Sequence, residues 1–212
     1  MGKAIYSLVL SEEVVRAIDA RAHRQGTNRS ALIDRILAEY VSVSTAEGMI
    51  RQILGDMSRL LSDRGELVPQ SAPGGRTLAV KSALNYKYRP TVKYEIGLDR
   101  SGRGVGELAV TFRTQSAQLL GAITEFFRLW CRIEEAVLPP RHYAAVGYSL
   151  ADGRFTRSLI LPEAGSTAVA EAIAAYIRLF DRAMKGFLCG ELSSAGVLAE
   201  YETAKGRAPF LL

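Results

Sequence analysis

Residues 3–40 read KAIYSLVLSEEVVRAIDARAHRQGTNRSALIDRILAEY, and the order strand, helix, helix that they spell constrains the fold more than anything else in the chain. Ile5 to Leu10 has the make-up of a strand, but one strand alone leaves its backbone N–H and C=O groups unpaired. It therefore requires a partner strand from elsewhere. Ser11-Glu12-Glu13 supplies an N-cap and two carboxylates for the positive end of a helix whose apolar positions Val14, Val15, Ile18 and Ala22 recur at three- and four-residue steps. Gly26 ends that helix, and Asn28 caps a second one carrying Leu32, Ile33, Ile36, Leu37 and Tyr40 along one side.

This segment, about the first fifth of the chain, closely resembles the ribbon-helix-helix family of bacterial, plasmid and phage DNA-binding proteins, which includes the Arc, MetJ and CopG repressors. The resemblance rests on Leu10-Ser11-Glu12 at the strand-to-helix junction, Gly26 between the helices, and Asn28-Arg29-Ser30-Ala31-Leu32-Ile33 opening the second helix. It implies an intertwined homodimer whose paired strands enter the major groove, with the second helix offering its first amides to a phosphate. Carried onto this sequence, the DNA-contacting positions are Lys3, Ile5, Ser7 and Val9 on the strand and Asn28, Arg29 and Ser30 at the second helix.

The strand departs from the family pattern. Leu10 should point inward, which takes Tyr6 and Leu8 with it and leaves Ile5, Ser7 and Val9 facing the groove. Ile and Val offer a base edge little beyond contact with a thymine methyl, so Ser7 and Lys3 alone can hydrogen-bond there. The bland alternative is that the motif serves only to dimerise.

Charge falls unevenly. Between Met1 and Gly48, Lys3, Arg16, Arg21, Arg24, Arg29 and Arg35 are cancelled by Glu12, Glu13, Asp19, Asp34, Glu39 and Glu47, so the head is neutral within a chain of net charge +5. Between Thr77 and Thr114, Lys81, Lys87, Arg89, Lys93, Arg100, Arg103 and Arg113 face only Glu95, Asp99 and Glu107. Local excess of this kind drives phosphate binding, although a charged run is also what a solvated sheet face looks like.

Beyond the head, residues 46–64 read as a connecting amphipathic helix. Ser44 and Glu47 have capping-box spacing, and the apolar stripe Ile50, Ile53, Leu54, Met57, Leu60 and Leu61 should pack on the dimer or on its own copy. Gly65 to Arg76, GELVPQSAPGGR, holds two prolines and three glycines and reads as a flexible linker and domain boundary. Residues 77–190 then look like a second domain with one unit written twice. Strands at Thr91 to Leu98 and Glu107 to Thr114 precede a helix from Ser116 to Val137; strands at His142 to Leu150 and Arg154 to Leu161 precede a helix from Ser166 to Leu188. Thr77 to Tyr88 adds one or two strands, and residues 191–212 form a tail of undefined role.

The expected fold is thus α+β: an N-terminal ribbon-helix-helix in residues 1–45, then an antiparallel sheet with two helices on one face and the other face open. Tyr86, Lys87, Tyr88, Arg89 and Lys93 are candidates for that open face, where rings would stack on bases while cations follow phosphates. Alternation puts Tyr94 in the core instead. Cys131 and Cys189 read as small buried hydrophobes, and with His23 and His142 as the sole imidazoles neither a metal nor another cofactor is expected. Phosphate-loop, Gly-x-Ser-x-Gly and His-Glu-x-x-His spacings are missing, so no enzyme is expected. Without an eighteen-residue apolar run or a basic-then-apolar leader, the expectation is a cytoplasmic protein with no membrane partner. The partners expected are double-stranded DNA and a second copy of the chain, and the role is transcription regulation or plasmid and mobile-element maintenance. Two rivals are single-stranded nucleic-acid binding in replication or transfer, and a dimeric antitoxin or scaffold whose second domain binds a protein.

Overall fold

The computed structural model describes residues 5–41, 46–63, 65–71, 77–84, 90–98, 105–151, 153–160 and 164–207. They form two compact units, Met1–Gly48 and Met49–Leu212. No helix among the described residues is long and apolar enough to cross a membrane.

In the first unit, α1 spans Glu12–Arg24 and α2 spans Arg29–Tyr40. Ser11 caps α1 as its spacing predicts, with Oγ accepting from Val14 N at 3.5 Å, and Glu12 and Glu13 stand in the first turn. The helix ends in a Schellman turn. Thr27 N donates to Ala22 O at 3.0 Å and Gly26 N to His23 O at 3.2 Å, while Gly26 takes φ +59°, which a residue with a Cβ rarely adopts. Asn28 Oδ1 then accepts from Ala31 N at 2.9 Å and starts α2. Residues 5–10 form no strand, and none of the described strands pairs with them, so the expected strand is not formed in a single copy.

The second unit is a six-stranded antiparallel sheet with helices on one face. In chain order its elements are α3 (Ala46–Ser62), β1 (Leu67–Ser71), β2 (Thr77–Ala83), β3 (Thr91–Leu98), β4 (Val105–Phe112), α4 (Ala117–Val137), α5 (Pro140–Tyr143), β5 (Tyr148–Ala151), β6 (Arg154–Ile160), α6 (Ser166–Leu188) and α7 (Ser194–Arg207). The strand order is β1-β2-β3-β4-β6-β5, so the two hairpins meet through their second strands. Alternation does the sorting. Val92, Tyr94, Ile96 and Leu98 of β3 and Phe155, Arg157 and Leu159 of β6 are buried on the helix side, while the residues that alternate with them face outward. The core is an aromatic stack in which Phe180 of α6 lies 4.9 Å from Trp130 of α4, 5.4 Å from Phe126 and 5.5 Å from Phe155, measured between ring centres.

Five expectations need correction. The linker expected over residues 65–76 is in part a strand, because Leu67–Ser71 pairs along the edge of β2 from Leu67 opposite Ser82 to Ser71 opposite Leu78. An edge tolerates Pro69, one of the two prolines that argued for a linker, since it can turn its missing N–H away from the ladder; residues 72–76 lie outside the described residues. Helix α3 is no connector: Ile50, Ile53, Leu54, Met57 and Leu61 are buried in the second unit's own core. The strand expected from His142 begins only at Tyr148, because Pro139-Pro140 starts a short helix in which Tyr143 N donates to Pro139 O at 3.1 Å. The tail is largely α7, with Val197 and Tyr201 in the core. Of the cysteines, Cys131 is half-buried and Cys189 is exposed rather than a core residue.

Candidate nucleic-acid interface

The head buries almost nothing. Among residues 5–41 the buried apolar side chains are Ala22 and Leu32, and ten of the thirteen exposed large hydrophobic residues of the described chain fall between Ile5 and Val41. Residues 5–10 are all exposed: Ile5 and Val9 fully, Tyr6 84%, Leu8 57% and Leu10 40%.

The residues expected at DNA are placed differently from one another. Ile5, Ser7 and Val9 are exposed ahead of α1, while Lys3 lies outside the described residues. Asn28 is committed as a cap, and Ser30 is exposed in the first turn of α2, which carries no acidic residue. Arg29 reaches back to α1, where its Nε and a terminal nitrogen donate to the two carboxylate oxygens of Asp19 at 2.7 and 2.5 Å. That hydrogen bond holds the Asp19 carboxyl below its ordinary range and the Arg29 guanidinium above its own. Arg29 is thus a brace between helices with limited freedom to follow a phosphate. Arg35 likewise donates to Gln25 across the two helices.

In the second unit, the expected positions Tyr86, Lys87, Tyr88 and Arg89 lie outside the described residues. Lys93 does face outward on β3, where its Nζ donates to Glu95 Oε1 at 2.8 Å, and Tyr94 is buried, its hydroxyl donating to Asp181 Oδ1 at 2.8 Å. The register adds residues that sequence reasoning missed. Lys81 stands directly opposite Lys93, Lys93 opposite Thr111, and Thr111 opposite Arg154, so three cations share one row across β2, β3, β4 and β6. Arg154 belongs to the second hairpin, and nothing in the linear sequence says that β6 lies beside β4.

A buried polar cluster was also missed. Glu134 of α4 accepts from Arg157 Nε at 2.9 Å, Tyr176 Oη at 2.9 Å, Tyr201 Oη at 3.2 Å and Tyr148 Oη at 2.5 Å. Trp130 Nε1 donates to Tyr176 Oη at 2.9 Å, and the Arg157 guanidinium lies 4.6 Å from the Tyr176 ring centre. Burial would lower the Arg157 pKa, but its electrostatic interactions with Tyr176 and Glu134 and the Glu134 hydrogen bond carry it above the ordinary value. Burial first, and the negative charge of Glu134 with it, raises Tyr148 and Tyr201. Burial likewise raises the half-buried Cys131 thiol to about 11. Every acceptor site of the carboxylate is in use, so the cluster ties α4, β5, β6, α6 and α7 together as structure. Its signal was legible: Arg157 sits at the same inward parity as Phe155 and Leu159.

Comparison of the chain with family models, with curated proteins and with solved structures finds no match.

Proposed function

We propose that this chain is a homodimeric DNA-binding protein of ribbon-helix-helix type, acting in transcriptional control or mobile-element maintenance. The observation that carries the reading is the head's unburied apolar surface. Residues 5–41 form two capped helices preceded by a segment without secondary structure, yet only Ala22 and Leu32 among their apolar side chains are buried. Burying a Leu or Val side chain contributes about 1.5–3 kcal/mol, and a second copy supplies both that burial and the missing strand partner. Leu8 and Leu10 are less exposed than Ile5 and Val9, which supports them as part of the shared core, with Ile5, Ser7 and Val9 as the outward face; Tyr6, itself 84% exposed, shares the parity of Leu8 and Leu10.

Sedimentation of the intact chain and of variants tests the assembly. Deleting Met1 to Leu10 should abolish the dimer, and Leu8→Asp should weaken it by several kcal/mol, since it buries an unpaired charge. A dimer mass unchanged in both variants sinks the intertwined arrangement. Selection from a random duplex pool tests the DNA reading, with two symmetry-related half-sites expected and Ser7→Ala altering the preference. A dimer that enriches no sequence leaves the head as a dimerisation device alone.

A further inference from the structure

We propose that the open face of the sheet binds the phosphate backbone of a nucleic acid, without reading its bases, at the end where Lys81, Lys93 and Arg154 share one cross-strand row. This does not rest on the DNA-binding role of the head. Strand spacing puts Lys81 and Arg154 three strands apart, about 14 Å. Exposed Arg113 follows β4 at the same end. Against these four cations the described residues there offer two carboxylates, Glu95, which already hydrogen-bonds Lys93, and exposed Glu66 just before β1, beside Ala83; Glu107 stands toward the opposite end, across from Gly97. The local excess is four minus two, or two positive charges.

Two lysines directly opposite each other destabilise a strand pair unless an anion lies over them. Lys81 and Lys93 are such a pair. Between Lys93 and Arg154 the Thr111 hydroxyl is enclosed and has no hydrogen-bond partner among the described residues. Thr91 and Thr156 line the same face. Cations flanked by hydroxyls are the usual donors to phosphate oxygens. The described outward positions of β2, β3 and β6 carry no aromatic ring, because Tyr94 turns inward, so the face lacks the platforms that base stacking needs. What is left is charge and hydrogen-bond donation to a backbone.

The test uses the full chain with a random-sequence duplex and a polythymidine strand over a range of salt. Replacing Lys81, Lys93 and Arg154 together by Ala should flatten the logarithmic salt slope by up to about 2.7 on duplex, or about 2.1 on single strands, if each touches one phosphate. Flattening on one probe alone supports the proposal and says which form is bound. Glu95→Gln should tighten binding, a gain that misfolding cannot imitate. An intact chain that binds neither probe at low salt overturns the proposal, as do unchanged slopes on both. Equal flattening from Ala at Arg128, Arg132 and Arg141, three exposed cations of the α4 and α5 region, overturns it too, because the effect would then be net charge alone.

Discussion

Glu134 and Arg157 form an ion pair at 2.9 Å with neither side chain touching solvent. Taking two charges out of water is costly, and the pair stands because three tyrosines and the Tyr176 ring complete its coordination. Losing one partner leaves the other buried and unmatched. Glu134→Leu or Arg157→Leu alone should cost about 3–5 kcal/mol, whereas the double change should cost clearly less than the sum. Urea denaturation of the four proteins measures this; strict additivity would mean that the two groups do not depend on each other.

Alkaline pH should unfold the second unit through its tyrosines. Tyr94, Tyr148, Tyr176 and Tyr201 all have folded pKa values raised above the ordinary 10.0 by burial and a neighbouring carboxylate. A raised folded pKa contributes stability that is full below the unfolded value and is lost as pH rises toward the folded one. Stability should therefore fall above about pH 10, and the ultraviolet absorbance of these four tyrosinates should rise with loss of the fold, not before it. Tyr94→Phe, Tyr148→Phe and Tyr201→Phe together should blunt the fall.

The second unit was the more legible half. Strand β3 and helices α4 and α6 follow their apolar periods almost to the residue, because there one face is buried and the other is not. What the sequence could not show was the pairing across strands. Lys81, Lys93 and Arg154 become neighbours only through the register of three ladders. Strand β1 was hidden by the proline and glycine content around it, although an edge permits its Pro69, and α7 by a weak apolar period that buries little beyond Val197 and Tyr201. In the head the caps at Ser11 and Asn28 and the turn at Gly26 were plain, since capping is local chemistry. The brace from Arg29 to Asp19 was not, because the same Arg fits a phosphate as well as a carboxylate.

Arg29→Ala and Asp19→Ala should loosen the two helices of the head to a similar degree if the brace is the main role of Arg29. The Asp19 pKa is depressed in the folded head, so the brace is present above the ordinary carboxylate range and is lost as pH falls through the lowered value. Amide exchange in α1 and α2, followed from neutral to acid pH, reads both effects. Slower duplex binding in Arg29→Ala with no change in exchange would return this residue to the DNA surface.

Helix α7 should prove indispensable. Truncation after Gly190 removes Val197 and Tyr201 from the core and should leave a second unit with lost tertiary packing, seen as exposed apolar surface in dye binding. Tyr201→Phe should cost about 1.5 kcal/mol, one hydrogen bond to a charged group. Gly186→Ala should be worse than an ordinary helix substitution, because its Cβ would come within 2.7 Å of Leu192, where the chain turns back into α7.

That Tyr201 closes the Glu134 cluster has a bearing on how the protein is made. Chains emerge from the ribosome N-terminus first and domains fold as units. Here the sheet and its first long helix are synthesised well before the residue that completes their interior, so a nascent chain carries Glu134 and Arg157 without their full set of donors until Tyr201 has emerged. A stalled or prematurely ended message therefore yields a product that is unfinished inside, not merely shortened, and one that quality control can recognise by its exposed core.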